Sequence, residues 1–99
     1  MSAVADVIAK FADKFESIDL DAILGDLNAD GIIKHNEYKE VITQSFKVKV
    51  LLLRETLPSR GDRAFPTFLK CLRRRGHLQL AKKMHEGVTL VYRANFQNG

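Results

Sequence analysis

With 99 residues, of which 45% are hydrophobic, the chain is long enough for one domain and for a core that needs neither metal nor disulfide. Its 16 basic and 12 acidic residues leave a net charge of +4, and its single cysteine, Cys71, excludes an intrachain disulfide and points to a reducing compartment. No apolar run approaches the roughly 20 residues of a membrane span, Met1-Ser2 lacks the glycine that myristoylation needs, and the N-terminus is too acidic for a secretory signal, so a cytoplasmic location is expected.

From the N-terminus, Val4, Val7, Ile8, Phe11, Phe15 and Ile18 recur at helical spacing. Ser17 to Asp19 offers a break before Leu20, Ile23, Leu24 and Leu27 resume, so the first helix is expected to be bent or split. After an Asp30-Gly31 turn, Tyr38, Val41 and Ile42 give a short second helix, and Ser45 is placed to cap a third carrying Phe46, Val50, Leu53 and Leu57. Pro58 and Gly61 stop that helix. Asp62 is placed to accept a backbone N–H and start a fourth, in which Phe65, Phe68, Leu69 and Leu72 share one face. Pro66 falls near the first turn, where its missing N–H costs little. Gly76 closes this helix after Arg73, Arg74 and Arg75, which suit its negative end. Leu78, Ala81 and Met84 mark a fifth helix, and Val88, Val91, Tyr92 and Phe96 a last one after Gly87, with a frayed end. Nothing alternates with period two for long enough to argue for a sheet. The expectation is one all-α domain over residues 1–99: six short antiparallel helices, a core over about residues 3–86 and a partly helical or frayed tail over 87–99.

Several strings in this pattern carry a resemblance. Leu57-Pro58-x-Arg60-Gly61, Ala64-Phe65-x-x-Phe68 and Leu72-x-x-x-Gly76-His77-x-x-Leu80-Ala81 are all present, and upstream Asp30-Gly31-Ile32-Ile33 is followed by Glu37-Tyr38-x-x-Val41. Over nearly the whole chain this resembles a caspase recruitment domain, closest in look to initiator-caspase prodomains and their adaptors. The resemblance implies the six-helix antiparallel Greek-key bundle of the death fold. It also implies a domain without catalytic residues that recruits like domains in apoptotic or inflammatory signalling, with partners such as an initiator caspase, an adaptor or an apoptosome-type scaffold. Lys34 departs from the family, which has Thr or Ser there to cap the second helix, and the start of that helix is left open.

Charge is segregated along the chain. Residues 1–43 carry nine acids and four bases, net −5, whereas residues 44–99 carry three acids and twelve bases, net +9. Lys47, Lys49, Arg54, Arg63, Lys70 and Arg73 are expected to form a basic interaction face, and Asp26, Asp30, Glu37 and Glu40 an acidic one. Such a dipolar molecule can dock head to tail, and a contact that does not close on itself propagates into a helical oligomer. Lys47 matches a basic interface position of similar domains; Leu51 stands where a second base is expected.

One rival reading competes with recruitment. Asp26, Asn28 and Asp30 at positions 1, 3 and 5, Gly31 at 6 and Glu37 at 12 fit the calcium loop of an EF-hand, with helical runs on both sides. Against it, Gly25 weakens the entering helix and there is no second loop of the kind to pair with. Nucleic acid is not an expected partner: Arg73 to Arg75, Lys82 and Lys83 could touch phosphates, but Phe65 and Phe68 are placed for the core rather than for stacking on bases. His35, His77 and His85 lack the spacing of a metal or catalytic site, and no cofactor is expected.

Overall fold

The computed structural model describes the backbone of residues 3–98 and the side chains of residues 3–90. Among the described residues all regular structure is helical: α1 (Ala3–Lys10), a 3-10 segment (Ala12–Ser17), α2 (Leu20–Ala29), α3 (His35–Val41), α4 (Phe46–Thr56), α5 (Ala64–Arg74) and α6 (Leu78–Asn98). α1 packs on α4 and α6, α2 on α5 and α3, and α5 on α6. This is an all-helical bundle, compatible with the death fold that the resemblance implies.

The first helix is split where the sequence breaks. Its chain tightens into the 3-10 segment, Ile18 is extended, and Asp19 Oδ1 accepts from the Ala22 N–H to start α2. The tight segment brings Phe15 fully into the core, where its ring meets Phe68 edge-on at 6.0 Å between centroids. Phe65, Phe68, Leu69 and Leu72 are all buried on α5, as their spacing predicts, and Ile23, Leu24 and Leu27 of α2 close over them.

Helix ends follow local chemistry. α2 closes in a Schellman turn: the Ile32 N–H donates to Leu27 O at 2.9 Å and the Gly31 N–H to Asn28 O at 3.1 Å, with Gly31 at φ +80°. α5 closes in the same way at Gly76, with the His77 N–H on Leu72 O at 2.8 Å. α3 begins at Lys34 without a side-chain cap; Glu37 Oε1 instead reaches back to accept from the Lys34 N–H at 2.9 Å, which is half of a capping box. Ser45 caps α4 as expected, accepting from the Val48 N–H.

Three expectations differ from the structure. Asp62 does not cap α5: the helix starts one residue later, after Arg63, because the turn through Gly61 at φ +89° is closed by the Ala64 N–H on Gly61 O. Leu78 is exposed rather than part of the core face shared by Ala81 and Met84. The fifth and sixth helices are one continuous helix, α6, which runs through Gly87. That glycine serves space rather than a break: a Cβ there would stand 3.3 Å from Val7 Cγ2, so its absence lets α6 lie close on α1. The side chains of Val91, Tyr92 and Phe96 lie outside the described residues.

Candidate functional site

Charged side chains first settle among themselves. Arg60, carried on the turn after α4, donates from both guanidinium nitrogens to Glu37 of α3, at 3.0 and 2.6 Å, and from one of them also to Ile32 O at 3.2 Å. Arg75, at the end of α5, grips Asp26 of α2 in the same two-pronged way, both contacts at 2.9 Å. Lys49 of α4 reaches Asp21 of α2 at 2.6 Å, with its side chain only 14% exposed. All three pairs join an acid from residues 1–43 to a base from residues 44–99. The charge segregation along the sequence is therefore spent in part on stitching the bundle together.

The electrostatics agree with the geometry. The Arg60 hydrogen bonds, helped by the Lys34 N–H, hold the Glu37 carboxyl below its ordinary value of 4.5, and the Arg75 fork lowers Asp26 from 3.8. Burial, reinforced by Asp26 and Asp30, pushes the Cys71 thiol up to about 11, so it is a neutral core group at physiological pH and no nucleophile.

These pairs leave the calcium reading without support. Asp26 and Asn28 lie inside α2 rather than in a loop, the carboxylate oxygens of Asp26 and Glu37 are committed to arginines, and Asn28 Nδ2 lies 3.4 Å from His35 Nδ1. Gly31, the supposed sixth loop position, is the residue that closes α2. Among the described residues no cluster of His, Cys, Asp and Glu is arranged to hold a metal ion.

What is left free is unevenly placed. On α4, Val48 and Leu51 are 40% and 47% exposed, an apolar ridge on a helix whose other large apolar side chains are buried or half-buried. On one side of it is a groove of about 480 Å³ against Ala9 and Ala12, edged by Lys47 and Arg54. On its other side is a groove of about 320 Å³ against α3, edged by Glu37, Glu40 and Glu55. One helix thus presents a base-lined and an acid-lined groove with a hydrophobic ridge between them. Arg63, just before α5, and Lys70, on it, sit apart in a cleft with Arg74 and the α2–α3 turn, and Arg73 is exposed near that helix's end.

The ten residues expected to form two faces are therefore distributed otherwise. Lys47 and Arg54 share the α4 groove, whereas Lys49 is paired and largely covered. Asp26 and Glu37 are held by arginines, Asp30 lies among the bases of the α5 cleft, and Glu40 borders the ridge. Val48 and Glu55 are not among the residues expected at either face, and Leu51 is expected only as the place of a missing base. The signal was present: Val48 and Leu51 interrupt the polar stripe that Lys47, Arg54 and Glu55 write on the outer side of α4.

A helical bundle whose exposed site is an apolar ridge between charged grooves, with a thiol held inert in its core, is built for contact with other proteins rather than for chemistry. The family model of the caspase recruitment domain matches residues 4–87, and the chain belongs to that family. No match was found among curated proteins or solved structures. Membership makes the chain a protein–protein interaction domain of signalling, of a kind that binds other death-fold domains homotypically and is not catalytic. No described helix is long and apolar enough to cross a membrane.

Proposed function

We propose that the chain recruits recruitment domains of initiator caspases, adaptors or apoptosome-type scaffolds through the outer surface of α4, in apoptotic or inflammatory signalling in the cytoplasm. The observation that carries this reading is the Val48–Leu51 ridge between Lys47 and Arg54 on one side and Glu40 and Glu55 on the other, with the Arg60-paired Glu37 beside them. Desolvated apolar contact supplies affinity, and the opposite charges on the flanks set orientation and encounter rate. Because the flanks have opposite sign, the basic edge of one domain fits the acidic edge of the next, and repetition of that contact builds a helical oligomer. Clustering then acts by proximity, raising the effective concentration of whatever effector a recruited domain carries.

The test is a binding titration of the purified domain against a panel of isolated recruitment domains, and against itself, at rising salt. Lys47→Glu with Arg54→Glu, and separately Glu40→Lys with Glu55→Lys, should each weaken binding by about tenfold or more, and wild-type binding should fall as salt rises. Mixing the two variants should restore one contact but no growth beyond a pair. Unchanged binding by both variants at all salt concentrations sinks the reading.

A further inference from the structure

We propose a second site on this domain, a receptor for clustered phosphate groups in the cleft between α5 and the α2–α3 turn. Arg63, Thr67, Lys70 and Arg74 follow one another at steps of four, three and four residues, so they form a single stripe along α5. The stripe faces Asp30, Gly31 and Ile32 across a cleft of about 380 Å³, within the size range of small-ligand sites. The side chains of Arg63, Lys70 and Arg74 make no ion pair or hydrogen bond among the described residues, although Arg74 lies close enough to lower the Asp26 carboxyl through space. Bases at i and i+4, such as Lys70 and Arg74, repel each other and are relieved by an anion between them.

The cleft is also fixed in shape. Its far wall is the Schellman turn at Gly31, and Arg60 ties that wall down by donating to Ile32 O while its charge is balanced by Glu37. The one acid on the rim is Asp30, whose Oδ2 accepts a long contact from Cys71 Sγ at 3.8 Å, so three unbalanced bases face a single carboxylate. Apart from Ile32 the lining has no large apolar side chain, which sets it against the α4 ridge and against a protein hot spot. From Arg63 to Arg74 the stripe runs about 16 Å along the helix axis, too long for one phosphate and suited to several on a compact scaffold. Guanidinium forks, an ammonium and the Thr67 hydroxyl are the donors that phosphate oxygens accept from. A soluble polyphosphorylated inositol and the headgroup of a polyphosphorylated phosphoinositide share that chemistry.

Calorimetric titration of the whole domain with inositol hexakisphosphate, paired with co-sedimentation on phosphatidylcholine vesicles with and without phosphatidylinositol bisphosphate, tests the site. Saturable one-to-one binding in the micromolar range is expected in the calorimeter. It should weaken by about tenfold or more in Lys70→Glu and in Arg74→Glu, and clearly in the milder Lys70→Gln, but stay near wild type in Lys47→Glu. Vesicle binding with the same sensitivity assigns the site to a lipid headgroup; binding in the calorimeter alone assigns it to a soluble ligand. Absence of binding in both arms overturns the proposal, as does equal loss in Lys47→Glu, which would mean that the probes sense only net charge. If Lys70→Glu instead abolishes binding to a recruitment domain while leaving both phosphate probes untouched, the cleft belongs to the protein interface and not to phosphate. None of this rests on the α4 surface, so the two readings fail separately.

Discussion

Two sets of charges of similar make-up behave differently in this domain. Arg60, Arg75 and Lys49 each hold a carboxylate from another helix, whereas Lys47, Arg54, Arg63, Lys70 and Arg74 make no ion pair among the described residues. The difference is position. The first set ties α4 to α2, the turn after α4 to α3, and the end of α5 to α2, whereas the second lies on outward stripes of α4 and α5. A charge tally along the chain cannot separate the two, yet they have opposite consequences: the paired set holds the fold, and the free set is available to ligands.

Both sets stand on one core, and the largest effect should come from there. Phe68 is fully buried against Phe15 and Phe65, so Phe68→Ala should cost about 3 to 5 kcal/mol and degrade seams and surfaces together. Thermal or urea unfolding checks it, and a melting temperature equal to wild type would contradict the packing.

Breaking a seam should come next. Arg60→Ala leaves Glu37 and Ile32 O without their partner and should cost about 1 to 2 kcal/mol near neutral pH. The sign of its pH dependence follows from Glu37, whose carboxyl is held below 4.5 in the folded state. Its stabilisation is fully present above that value and is lost as pH falls through the lower folded value. The gap between wild type and Arg60→Ala should therefore be widest at neutral pH and shrink in acid, as urea titrations at several pH values would show. A gap independent of pH would mean that the pair contributes nothing through charge.

The smallest effects distinguish paired from free lysines on one helix. Lys47→Glu should change stability within about 0.5 kcal/mol, as for other exposed charges. Lys49→Glu places a carboxylate against Asp21 and should lower the melting temperature measurably more than Lys47→Glu does. Equal melting temperatures would erase the distinction on which the comparison depends.

Much of this architecture was legible in the residues themselves. The split first helix could be read from Ser17 to Asp19, the α5 core face from Phe65 to Leu72, and the Gly76 stop from its place after three arginines, because each depends on near neighbours. What was not legible depends on residues far apart in sequence. Gly87 reads as a helix breaker until Val7 is seen beneath it. Asp26 to Glu37 reads as a calcium loop until Arg60 and Arg75 arrive from 23 and 49 residues away to occupy its carboxylates. Likewise Lys49 counts as a free base until α4 is laid beside Asp21. Spacing within a helix shows which side chains share a face, but not whether another helix covers it.

The measurement that bears most directly on the account is a paired one on Leu51→Asp and Arg60→Ala, recording melting temperature and binding to a recruitment-domain partner for each. Leu51 is exposed on the ridge, and Arg60 is built into a seam. Leu51→Asp should melt within a few degrees of wild type and lose binding by about tenfold or more, since an ion placed at the centre of an apolar contact must be desolvated. Arg60→Ala should show the reverse, a clear loss of stability with binding largely retained at temperatures where it is folded. If Leu51→Asp binds like wild type, or if Arg60→Ala loses binding at full stability, the division between a seam that holds the fold and a ridge that recruits is wrong.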